Sequence, residues 1–358
     1  MNLLRHISTW FWNEKVWLPP NTTWADRVST PQNQLPNFND LWTYPFVVAL
    51  FLLVLRYLVL NPFVFSPIAN YFGVKNVRSK NVEPHVVLES TYNRHSKKVP
   101  SKAIETVAKS LGWTERKVER WLRARSAMDR INTHTKFTEC LWQLLYYSIA
   151  FVYGFYVLHD KIWIYDLREL WSGYPYTKLY NDLWIYYMMS TGFYWAGVIT
   201  HCAETRRKDF YQMLVHHLVT LALLAFSFTC NFTRIGALVL FVHDIADIPL
   251  HLTKLCVYAK FKSLTDVVFI IFTVCWIATR CIYYPWYLVH HAVTYPTTVI
   301  PFHPVYYIFV TLLTSLAVLH YYWTYFIMRM VVNTILKGDT SDTRSSSDDD
   351  GKEEPKQE

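Results

Sequence analysis

Two otherwise apolar stretches carry ionisable side chains: His216-His217 in one, and His243-Asp244 with Asp247 in the next. Ionisable groups at membrane depth are expensive and mark functional sites by default. Neighbouring helical positions differ by about 100°, so one of His216 and His217 can face a cavity while the other meets a neighbouring helix. Asp244 and Asp247 share a face, as do His243 and Asp247 at i, i+4. A carboxylate beside an imidazole fixes its tautomer and steadies the imidazolium, as a general base or a covalent nucleophile requires. If the two stretches form a hairpin turning near 231–232, His216 lies level with Asp247, about 10 Å below the nearer surface. Arg206, Arg207 and Lys208 precede the first stretch; their bland role is topological, and their sharper one is to attract the phosphates of a coenzyme. A zinc site would want a second ligand one turn from His216, where Thr220 stands, although His243 and Asp247 could contribute one face of such a site; no metal is assigned. A purely structural polar cluster would leave two histidines and two aspartates on consecutive spans without a task.

The elements that position these residues follow from composition. The chain has 358 residues, 52% of them hydrophobic and 18% aromatic, and the apolar ones gather in runs. Those runs are roughly 20 residues long, enough to cross a bilayer core. The fold class is therefore an all-α polytopic membrane protein. Seven spans are predicted near 44–65, 137–158, 180–202, 211–230, 234–257, 264–289 and 305–330, the last six forming a bundle around a central cavity. Segments 1–43 and 66–130 flank the first span, a membrane domain covers 131–332, and 333–358 is a tail. The six cysteines fall in or beside apolar runs without metal-ligand spacing and read as small buried hydrophobes.

The net charge of +8 is a statement about orientation rather than nucleic acid. Segment 66–136 holds fifteen Lys and Arg, loop 290–304 none and 159–179 three, which puts the N-terminus in the lumen and the C-terminus in the cytosol. Residues 1–43 hold no uninterrupted apolar region that suits a cleaved signal peptide, and the first span can double as an uncleaved anchor. Asn21-Thr22-Thr23 is a glycosylation sequon on the lumenal side, whereas Asn231-Phe232-Thr233 sits in a turn too short to stand clear of the membrane. In the acidic, disordered tail, Ser345, Ser346 and Ser347 each have an aspartate three residues later, a pattern suited to acidophilic kinases.

Within 90–130 two helices are expected, the first ended by Gly112 and the second capped by Thr114. Val118, Trp121 and Leu122 share a face of the second, with Arg116, Lys117, Arg120, Arg123 and Arg125 elsewhere. The run 117–125 resembles the recognition helix of a homeodomain. Homeodomains read adenine with an asparagine three positions after the core tryptophan, and here that position is Ala124. Specific DNA binding is not expected; anionic headgroups or the underside of the membrane domain suit this basic helix better.

The motif Arg207-Lys208-Asp209-Phe210-x2-Met213-x2-His216-His217-x2-Thr220, followed by Arg234-x-Gly236-x-Leu238-Val239-Leu240-x2-His243-Asp244-x2-Asp247, resembles the Lag1 motif of ceramide synthases. The wider TLC domain would cover about 131–332, and the degenerate homeodomain and serine-acidic tail are similar to those of animal members. The resemblance implies an endoplasmic-reticulum enzyme that transfers a fatty acyl group from acyl-CoA, a co-substrate rather than a bound cofactor, to a sphingoid base. His216 and His217 match the family's essential histidines, and Asp244 and Asp247 its aspartates. The implied partners are the sphingoid base, acyl-CoA and membrane lipids, and a homodimer or heterodimer with related synthases is compatible with it. Chain-length preference in the family is associated with the loop here at about 290–304. The match departs at Pro249 and His251, where the family continues with a Leu-Leu-Glu-like stretch, which bears on substrate preference. His216 would serve either as a base aided by Asp247 or as the nucleophile of an acyl-imidazole. A non-catalytic TLC-type lipid sensor or translocation-associated protein is the alternative, against which the retained histidines and aspartates argue. A transporter would show paired broken helices or internal repeats.

Overall fold

A chain crossing a bilayer must satisfy its backbone internally, and helices do so within one segment. The computed structural model describes residues 2–76, 82–95, 99–129, 131–203 and 209–337, and among them every long element is a helix. An amphipathic helix α1 (Asn2–Phe11) precedes α2 (Phe38–Tyr71). A basic segment follows with α3 (Val86–His95), α4 (Ser101–Leu111) and α5 (Glu115–Met128). The membrane domain is α6 (Thr133–Leu158), α7 (Asn181–Ala203), α8 (Phe210–Cys230), α9 (Thr233–Tyr258), α10 (Lys262–Val299) and α11 (Val305–Lys337). Residues 206–208 and 345–347, singled out above, lie outside the described residues.

Among the described residues six helices are long and apolar enough to cross a membrane, one fewer than the spans expected. The expected span at 180–202 does form a helix, α7, but it lies outside that set. Its buried Tyr186, Tyr187, Ser190, Thr191 and Tyr194 lower its hydropathy while pointing inward. At about 1.5 Å per residue it is still long enough to run the depth of the bundle. It packs along α2 on one side and α8 on the other. Helix α9 lies between α6 and α10, with Ala237 and Ala246 fully buried.

Helices α2 and α10 widen into π-helical stretches, Leu55–Phe65 and Ile277–Val289. Each contains a proline, Pro62 or Pro285, whose missing N–H interrupts the usual ladder. Each also carries a buried arginine, Arg56 or Arg280. Helix α9 by contrast continues through Pro249, and Thr253 Oγ1 donates to the Pro249 carbonyl at 2.8 Å.

The face bearing the N-terminus is closed by polar caps. Asn231 takes a left-handed conformation (φ 65°) after α8, and its amide donates to the carbonyls of Pro175 and Thr177 at 2.9 and 2.8 Å. That buried amide makes the second sequon a structural turn. Arg27 donates to the carbonyl of Thr229. Trp17 is 1% exposed and packs on Phe226, whereas Trp10 is exposed. In the neighbouring loop the Arg168 guanidinium holds the Asp166 carboxyl at about 2, below its ordinary value. At the opposite face, α3–α5 enclose Leu88, Val107, Val118, Trp121 and Leu122, with Gly112 left-handed after α4 as expected. Arg116, Lys117, Arg120 and Arg123 point outward, while Arg125 bridges Glu89 and Asp129.

Close packing of α7 on α9 depends on Gly236. A Cβ there would lie 1.7 Å from the Tyr187 hydroxyl, which is fully buried and bonded to Ser227 at 3.2 Å. Gly236→Ala is expected to destabilise the protein by about 1–3 kcal/mol, read as a lower thermal midpoint. An unchanged midpoint would contradict this packing.

Candidate functional site

Helix α8 presents His216 and His217 on adjacent faces, with ring centroids 5.6 Å apart. His217 lines a polar cleft of about 1220 Å³ that reaches in from the face carrying the basic segment. Its ring packs against Gly197 of α7, where a Cβ would lie 3.4 Å from Cε1. His216 lines the cleft too, and also an apolar cavity of about 560 Å³ on its other side. The Tyr194 ring stands over both imidazoles at 6.4 and 6.2 Å, and Trp323 of α11 meets His216 edge to face at 5.5 Å. Among the described residues, no donor or acceptor reaches Nδ1 of either histidine.

The apolar cavity exists because α8 and α9 splay apart. It is lined from α8 by Thr220 and Leu224, from α9 by Gly236 and Val239, and from α11 by Phe309 and Leu313. A second apolar cavity, about 580 Å³, continues towards the face of loop 290–304 and shares Ile235, Phe309 and Leu313 with the first. Pro296, Ile300 and the buried His303 line its far end.

This splay corrects the expected pairing of His216 with Asp247. The wall facing His216 across the cavity carries His243. Asp247 instead accepts from Arg280 Nη2 at 3.1 Å, with Arg280 only 4% exposed. The same nitrogen donates to the His243 carbonyl at 2.7 Å, and Nη1 lies 3.1 Å from Nε2 of His320. His243 gives Nδ1 to the Val239 carbonyl at 2.6 Å and faces His320 with Nε2 at 3.2 Å. Asp244 accepts from the Tyr186 hydroxyl at 3.1 Å. Hairpin depth could not foresee this, because it says nothing of α10 and α11, whose Arg280 and His320 meet α9 here.

The structure thus separates the four residues singled out in the sequence. His216 joins cleft to cavity and His217 lines the cleft alone, while Asp244 and Asp247 belong to a buried cluster on α9. Arg280 and Tyr186 were missed. A lone arginine within an apolar span was signal enough for the first, since buried aspartates need a counter-charge. His320 reads from sequence as an interhelical hydrogen bonder, which it is; its partners were not legible. His251, one of the departing positions, lines the cleft and stacks on Tyr147 at 5.6 Å. No group of three His, Cys, Asp or Glu residues among those described is arranged to hold a metal. Asp209 and His201 line the cleft at the start of α8, the His201 Nε2 lying 2.9 Å from the Phe210 carbonyl.

An apolar cavity with few convergent polar groups is the usual form of a ligand site. A carbon held at His216 would have a polar approach on one side and room for hydrocarbon on the other. Tyr186→Phe removes the donor to a buried carboxylate and is expected to cost about 1–3 kcal/mol, whereas Tyr187→Phe, whose hydroxyl meets Ser227, costs nearer 0.5–1.5 kcal/mol. Thermal unfolding of the two variants checks the order, and equal losses would contradict it.

The TLC domain family model matches residues 136–329. The chain is 36% identical to ceramide synthase 3 of Mus musculus over 345 residues, 95% of this chain and 88% of that protein. It is 32% identical to ceramide synthase 5 of Homo sapiens over 348 residues, again 95% and 88%. Ceramide synthase hyl-1 of Caenorhabditis elegans is 32% identical over 353 residues, 95% of this chain and 84% of that protein.

Proposed function

We propose, for a chain that belongs to the TLC-domain family and within it to the ceramide synthases, that it joins a fatty acyl group from acyl-CoA to the amine of a sphingoid base. The observation that carries this reading is the place of His216, the residue common to the polar cleft and the apolar cavity. The thioester carbonyl sits at His216, the acyl chain runs into the paired cavities, and the coenzyme leaves through the cleft. Arg206, Arg207 and Lys208, next to Asp209 in sequence, receive its phosphates.

In the overall reaction an N–C bond forms at the carbonyl, the C–S bond breaks, and a proton leaves the amine while the sulfur departs as thiol. His216 acts at the carbonyl as nucleophile, giving an acyl-imidazole that the amine resolves. The alternative of a base steadied by Asp247 has lost its geometric support, since that carboxylate is engaged by Arg280. His217, on the cleft wall alone, lies where the amine arrives and takes its proton. Asp244 and Asp247 hold the opposite wall in place.

We place the protein in the endoplasmic-reticulum membrane with its N-terminus lumenal, on the basic charge of segment 66–136. Asn21, which is exposed, then carries the glycan, and Ser345, Ser346 and Ser347 face cytosolic kinases.

Purified protein supplied with sphinganine and an acyl-CoA length series is expected to form amide, detected by mass spectrometry. Absence of amide at every length would sink the reading. Leu313 stands where the two cavities meet. Leu313→Trp is expected to shift preference to shorter acyl chains, by roughly tenfold in relative kcat/KM. An unshifted profile would show that the chain lies elsewhere.

A further inference from the structure

One turn of α11 touches both halves of the site. His320, fully buried, approaches the Arg280 guanidinium at 3.1 Å and His243 Nε2 at 3.2 Å. Three residues on, Trp323 meets the His216 ring at 5.5 Å. A spacing of three puts both side chains on one face of the helix. The turn is tied further by Thr324, whose hydroxyl donates to the His320 carbonyl at 2.7 Å and accepts from Trp276 Nε1 at 2.9 Å. Arg280 in turn reaches α9 twice, at the His243 carbonyl and the Asp247 carboxylate.

We infer that His320 and Arg280 are positioning residues for the reaction at His216, the first setting the register of the α11 turn that backs His216 and the second fixing the α9 wall opposite. Neither is among the lining of the cleft or of the two cavities. Their effect passes through Trp323 on one side and through His243 on the other. Arg280 suits the task because its planar fork spreads donors over separate nitrogens, Nη2 serving a carbonyl and a carboxylate while Nη1 faces an imidazole, a span that the single nitrogen of an ammonium does not have. Its place in the π-helical stretch Ile277–Val289 gives it a register that an unbroken α-helix would not have. The inference rests on the proposed acyl transfer.

The test uses the full-length protein and separates kcat from KM. In His320→Gln the amide can accept from Arg280 and donate towards His243, whereas His320→Leu can do neither. His320→Leu is expected to lose about a hundredfold in kcat with little change in KM for the acyl donor, because a small displacement of a reacting group is enough for that. His320→Gln should keep kcat within about tenfold of wild type. Arg280→Lys keeps the charge and loses the fork, and is expected to follow His320→Leu. Rates are normalised to folded protein from the thermal transition of each variant. Equal kcat per folded molecule in wild type and His320→Leu would overturn the inference, as would a His320→Gln no better than His320→Leu. A wild type that forms no amide would overturn the functional reading itself, so the two failures are distinguishable.

Discussion

The bond between Arg280 and Asp247 is the constraint on which the site depends. Both groups are taken out of water, and such a pair gains little net stability over a well-packed apolar substitute. Breaking it is another matter, because removing one partner strands a buried charge. The pair therefore acts as a fixed point: wherever α10 carries Arg280, α9 must bring Asp247 and the His243 carbonyl to it. His320 extends that point to the last helix. Three helices are thereby tied together beside the cavity at His216, whose walls come mainly from α8, α9 and α11.

That space is what makes His216 useful. Had α8 and α9 packed along their whole length, as a short turn between long helices invites, the imidazole would have met a carboxylate and nothing more. The splay instead opens an apolar cavity behind it and leaves the polar cleft in front. A thioester with a long hydrocarbon tail has this same division of polarity at its reacting carbon. The second cavity shares Ile235, Phe309 and Leu313 with the first, so the route continues towards loop 290–304, which resemblance to the family links to chain length.

Much of the architecture was legible in the sequence because bilayer thickness and helical rise leave little freedom. Helix α8 was expected over 211–230 and runs Phe210–Cys230; α9 was expected over 234–257 and runs Thr233–Tyr258. The helix stop at Gly112 followed from its left-handed conformation. What failed was the third dimension. Depth along a hairpin placed Asp247 beside His216, but lateral position depends on which helix fills the gap, and α11 is distant in sequence. Helix α7 shows a related limit, since its inward tyrosines and serine lower its apparent hydropathy without weakening its place in the bundle. The π-helical widening around Pro62 and Pro285 was equally hidden, because a proline announces a break in the ladder and not how the helix repairs it.

The central claim is that bond formation takes place at His216, and the most direct measurement is a single turnover with radiolabelled acyl-CoA and sphinganine, comparing wild type with His216→Ala in the folded state. The account predicts rapid amide formation by the wild type and a loss of at least about a thousandfold in His216→Ala. Acyl label should also be retained on the wild-type protein, and not on the variant, when the amine is withheld. Amide formation by folded His216→Ala at a rate near that of wild type would contradict it.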